Sequence, residues 1–106
     1  MKSFYEIESE KEVYKQIQEN ENILILLDEM KPCLLDMFED SKYCLGMNFE
    51  PEMDDRFIIL SINVSKERFN NGIGKDIREF NSKFHDLRRN LEVYRELLVM
   101  PGVQHV

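Results

Sequence analysis

The sequence predicts an α+β domain: one or two N-terminal helices, an antiparallel β-hairpin, and a long C-terminal helix packed on the sheet. Three observations carry that expectation. In "YCLGMNF", residues 43–49, the apolar Tyr43, Leu45, Met47 and Phe49 alternate with Cys44, Gly46 and Asn48, the period of a half-buried strand. "RFIILSINV", residues 56–64, is rich in β-branched residues and nearly continuous in apolar character, as in a central strand. From Ile73 onward, Ile77, Phe80, Phe84, Leu87, Leu91, Tyr94 and Leu98 recur in alternating steps of four and three, which makes one face of a helix apolar.

Along the chain, residues 3–20 set Phe4, Ile7, Val13, Tyr14 and Ile17 among Glu and Lys and read as an amphipathic helix ended by "ENEN". In "ILILLDEMKPCLLDMF", residues 23–38, Ile23, Leu27, Met30, Leu34, Met37 and Phe38 fall at helical spacing, but Pro32 sits in the middle. Proline removes a donor there, so the expectation is a kinked or split helix. The rival is a short strand at 23–27 followed by a helix opening near Pro32. "EPEMDD" reads as the loop of the hairpin. A lone hairpin is marginal, so a third strand is expected from residues 23–27 or from the C-terminal tail. Pro101 and Gly102 end the last helix. No repeat or Pro/Gly/Ser-rich linker divides the chain, and residues 1–106 are read as one domain.

With 106 residues and 42% apolar composition, the chain can bury a core without disulfides or metal. Its longest apolar run, "ILILL", is far short of the roughly 20 residues that span a bilayer, and the acidic N-terminus does not resemble a signal peptide. No membrane partner is expected, and the expected compartment is the cytoplasm. Cys33 and Cys44 lie eleven positions apart without a CxxC pair and are expected to be free thiols. The net charge of −7 is uneven. Residues 1–55 hold fifteen acidic and five basic side chains, and residues 56–106 hold six and nine. An acidic chain is repelled by nucleic acid, whereas a split of this kind suits self-association or a basic protein partner.

The motif candidates are few. In "FNNGIGKDIREF" a loop of Asn71, Gly72, Gly74 and Lys75 could bring backbone amides to an anion. However, a P-loop needs a glycine where Phe69 stands and a hydroxyl where Asp76 stands, and a dinucleotide fingerprint needs a glycine at Ile77. The simpler reading is a turn that starts a helix. Glu50, Glu52, Asp54 and Asp55 lack the spacing of a calcium loop. His85 and His105 are too few and too isolated for a metal site. The cations Lys75, Arg78, Lys83, Arg88, Arg89 and Arg95 are interleaved with acids, unlike a nucleic-acid helix. No catalytic residue, cofactor or metal is assigned.

A helix from residue 73 to 98 would be about 39 Å long, twice the length of an average strand at about 17–20 Å. Its far end would need another cover, which marks Phe84, Leu91, Tyr94 and Leu98, with Arg88 and Arg89, as a candidate interface. The expected function is therefore a small non-enzymatic, homodimeric interaction module of adaptor, immunity-like or antitoxin-like type. The alternatives are a ligand- or phosphate-binding protein or enzyme using loop 70–75 with His85, and a nucleic-acid binder using Arg78, Arg88 and Arg89.

Overall fold

The computed structural model describes residues 4–50 and 55–104, with the backbone alone at 49, 50 and 55. Nine elements follow in order: β1 (Glu6–Ile7), α1 (Glu10–Glu19), α2 (Asn22–Met37), β2 (Lys42–Glu50), β3 (Asp55–Val64), α3 (Lys66–Asn70), α4 (Ile73–Lys83), α5 (His85–Leu91) and β4 (Leu97–Val103). The sheet runs β1-β2-β3-β4. β2 and β3 are antiparallel, and each is joined to a parallel outer strand. Mixed α and β structure is as expected, but the expected hairpin is the middle of a four-stranded sheet. The third strand comes from the tail, since residues 23–27 are helical. No helix among the described residues is long and apolar enough to cross a membrane.

Alternation on the strands decides where the core lies. Leu45 faces Leu60 across the β2–β3 ladder, and Leu60 faces Val99 across β3–β4. With Tyr43, Ile58, Ile62 and Leu97 these residues form one face, packed against Ile23, Leu26, Met30 and Leu34 of α2 and Ile77 and Phe80 of α4. Phe38 and Phe80 meet edge to face at 5.9 Å, joining the two helical segments over the same side of the sheet. Both β-helix-β crossovers step the same way across the sheet, between strand pairs that run in opposite directions. Lying on one face, they must therefore have opposite hands, so one departs from the usual right-handed connection. The consequence is a two-layer molecule whose other sheet face has no helix over it.

Buried polar groups are tied to the backbone. The Tyr5 hydroxyl donates to the Leu27 carbonyl at 2.6 Å, and that of Tyr43 donates to Phe38 at 2.6 Å. Burial, and then the nearby Asp28 carboxylate, push the Tyr5 phenol well above its ordinary range, which keeps it a donor. Arg68 donates to the Met37 carbonyl at 2.6 Å and lies over the Phe38 ring at 4.7 Å, pinning α3 to the end of α2.

Three expectations are corrected. Residues 4–9 are not helical: β1 is flanked by bends, Ser9 lies in the left-handed region at φ 52°, and the first helix starts at Glu10. α2 runs through Pro32 as a single element, so the helix is not split there and residues 23–27 are not a strand. The proline is on the exposed side, where water can satisfy the carbonyl that its missing N–H leaves open. The long C-terminal helix is instead two helices and a strand. Phe84, at φ −108° and ψ 7°, separates α4 from α5. Glu92 then ends α5 in the left-handed region at φ 57°. Its N–H bonds to Arg89 and that of Val93 to Arg88, the 5→2 and 6→1 pair of a Schellman motif, with Val93 fully buried beyond it. The mismatch between helix and strand length thereby disappears.

A left-handed non-glycine residue costs about 1–2 kcal/mol, while glycine's extra freedom in the unfolded chain offsets about half of any relief. Glu92→Gly should therefore stabilise the fold by about 0.5–1 kcal/mol in urea denaturation. A destabilised variant would show that the Glu92 side chain makes a compensating contact.

Candidate functional site

The candidate site is built on β4 and the bare sheet face beside it. β4 is an edge strand, and the register decides which of its backbone groups point outward. Ile58 donates to the Glu96 carbonyl and Gln104 to Val64, and Leu97 is paired with Ile58. The even-numbered residues of β4 thus bond inward to β3, while Leu97, Val99, Pro101 and Val103 turn their backbone groups to the free edge. That edge is largely closed to another strand. The Arg88 guanidinium donates to the Leu97 carbonyl at 2.6 Å, and Pro101 has no N–H to give. Val99 alone in the middle of the strand offers both a donor and an acceptor. A capped carbonyl and a proline are among the ways proteins protect a sheet edge from pairing.

A groove of about 470 Å³ follows this edge, lined by Asn81, His85, Arg88, Tyr94, Leu98 and Met100, together with Val99. Burial lowers the Arg88 pKa from the ordinary guanidinium range, and the Glu96 carboxylate pulls it back up. Two buried oxygens, Asn81 Oδ1 and Glu96 Oε2, have no hydrogen-bond partner. The lining contains no serine, cysteine or carboxylate beside His85, so no nucleophile–base pair is assembled there. Among the described residues no three His, Cys, Asp or Glu are placed to hold a metal.

The bare face is made by side chains of the other parity: Cys44, Gly46 and Asn48 on β2, Phe57, Ile59, Ser61 and Asn63 on β3, and Leu98, Met100 and Gly102 on β4. None of the ten is charged, in a chain whose residues are 33% charged. Leu98 and Met100 are 39% and 47% exposed, and Tyr94 beside them is 54% exposed. Charge enters from the β1 side, where the Glu8 carboxylate lies over Gly46 and beside the Cys44 thiol, and at one end, as Lys42. At Gly102 an added Cβ would run into the Asn63 amide, so the glycine lets the two strands' side chains lie flat here.

The structure divides the expected interface residues. Arg88, Tyr94 and Leu98 come together in the groove. Phe84 is core, its ring tilted against that of Phe80 at 5.0 Å, and Leu91 packs on the core while its carbonyl accepts from Asn22 at 2.9 Å. Arg89 is exposed and paired with Asp86 at 2.9 Å. Asn71 and Gly72 form the turn between α3 and α4, and Gly74 and Lys75 lie in the first turn of α4. A helix therefore intervenes between β3 and the glycines, and Gly72, at φ 82°, serves the turn. Residues 51–54 of the acidic loop, and His105, lie outside the described residues. Sequence reasoning missed Phe57, Ile59, Ser61 and Met100 as surface residues. The absence of charge at either parity of residues 57–64 was the available signal.

No protein-family model, curated protein or solved structure matches this chain.

Arg88→Ala removes the charge-assisted bond to Leu97 and uncaps the edge. It should lower stability by about 1.5–3 kcal/mol in urea denaturation, and Arg88→Lys should recover part of the loss. An Arg88→Ala variant as stable as the parent would show that the bond contributes nothing.

Proposed function

We propose that the chain is a small non-enzymatic interaction module that associates with itself. The observation that supports this reading is the uncharged part of the sheet face on β3 and β4, continuous with the exposed Tyr94, Leu98 and Met100. A strand surface facing water ordinarily alternates apolar with polar and charged residues, whereas the centre of a protein interface is depleted in charge. The groove lacks a paired nucleophile and base, and Arg88 and Arg89 are engaged by Leu97 and Asp86. Catalysis and nucleic-acid binding are correspondingly less well supported.

Light scattering across the eluting peak of the protein purified from its own cells, with mass spectrometry of anything that accompanies it, tests the reading. The expected mass is that of a dimer. A monomer at every loading concentration, alone in its peak, would overturn it.

A further inference from the structure

We propose that the groove at the β4 edge receives the carboxyl-terminal end of a partner protein's chain, which pairs with Val99 and sets its terminal carboxylate against Arg88. This goes beyond self-association, which draws on the open sheet face and does not need the groove.

The edge selects a chain end. A strand running the length of β4 needs a row of free donors and acceptors, and in the middle of β4 Val99 alone turns both outward. On one side of it the Leu97 carbonyl is taken by Arg88 at 2.6 Å. On the other, Pro101 keeps its carbonyl but has no N–H. An extended peptide can pass Pro101 and pair with Val99, but at Leu97 it meets the guanidinium and must stop. Charge then sets the direction. Antiparallel to β4, the peptide comes to Leu97 with its carboxyl end. Parallel, it arrives with its amino end, whose ammonium faces a cation. Only the first arrangement is complementary.

Arg88 has donors to spare for a carboxylate. Its bonds to the Leu97 and Val93 carbonyls both use Nη1. Nε and Nη2 have no partner among the described residues, and neither is shut away from water. The Glu96 carboxylate helps to keep the guanidinium charged, yet no carboxylate pairs with it within 4 Å among the described residues. The groove lining holds no acid, in a chain of net charge −7. That net charge repels an anion at long range, so the preference for a carboxylate rests on two local donors, Arg88 and the Val99 N–H.

Register assigns the side chains. With the terminal residue opposite Val99, the Val99 N–H donates to its carboxylate and the Val99 carbonyl accepts its N–H. The terminal side chain falls on the side of Asn81 and His85, and the penultimate one on the side of Leu98 and Met100, both exposed. The ligand is therefore a free carboxylate preceded by an apolar penultimate side chain. The groove, at about 470 Å³, has the size of a small-ligand site, which suits a chain end.

The test is a titration of the isotope-labelled full chain, at one fixed concentration, with a pool of N-acetylated tetrapeptides. Leucine occupies the penultimate position and the others are randomised; the pool is supplied once as free acids and once as carboxyl-terminal amides. The Val99 amide resonance should shift with the free acids, and the amides should bind at least about tenfold more weakly, the loss of one charge-assisted bond. Val99→Pro removes an outward N–H that no ladder bond uses, and should weaken the free acids by a similar factor, read at the Met100 amide. If the proline disturbs the fold, the comparison of acids with amides stands without it. An equal response to acids and amides, a response that leaves Val99 unmoved, or none at millimolar peptide would overturn the proposal and leave self-association untouched.

Discussion

The constraint on which the rest of the structure depends is the placement of both crossovers on one side of the sheet. β3 has β-branched or leucine side chains at Ile58, Leu60, Ile62 and Val64 on one face and Phe57 and Ile59 on the other. It could serve a sheet covered on both sides. Two right-handed crossovers would have put α1 and α2 on one face and α3 to α5 on the other. Instead α2, α4 and α5 pack side by side, joined by the Phe38–Phe80 contact and by the bond from Asn22 to the Leu91 carbonyl. One face thereby becomes a continuous core, and the other is left with apolar side chains and nothing from its own helices to cover them. The surface chemistry follows from the topology.

That surface is managed in two ways. At the free edge of β4, Arg88 and Pro101 interrupt the row of outward backbone groups, a barrier to indiscriminate strand pairing. Across β3 and β4 on the face the interruption is absent, since Ile59, Ser61, Leu98 and Met100 carry no charge, and the Glu8 carboxylate reaches only Cys44 and Gly46 on β2. Protection at the edge beside exposure on the face is a pattern that favours one mode of contact over another. The cost is a cation drawn partly out of water at Arg88, offset by the Leu97 carbonyl and the Glu96 carboxylate.

Much of this was readable from the residues, and the rest was hidden for physical reasons. The period-2 pattern of 43–49 and the β-branched run of 56–64 locate the central strands, because alternation is local and strong there. The helical stripe from Ile73 to Leu91 is also real, being the buried side of α4 and α5. It misleads beyond Leu91 because Tyr94 and Leu98 happen to continue the four-and-three spacing, while the chain is turned by a left-handed Glu92, a residue with no preference for that conformation. A glycine at 92 would have announced the stop. Pro32 misleads the other way, since an exposed proline within a long apolar helix is tolerated when tertiary packing holds both halves. The bare face lay beyond reach because strand order and crossover hand are not written in any local pattern. Of the six residues marked for an interface, Arg88, Tyr94 and Leu98 reach the groove because they flank the turn into β4, and Phe84 and Leu91 do not because the core claims them.

The most direct test of the account is to follow backbone amide chemical shifts of the isotope-labelled protein on serial dilution. Shifts that move together and cluster at Cys44, Ile59, Ser61, Leu98 and Met100, with the helices α1 to α5 unmoved, are the predicted result. Shifts that cluster on the helices, or along Leu97, Val99 and Val103 without the β2 and β3 positions, would contradict it.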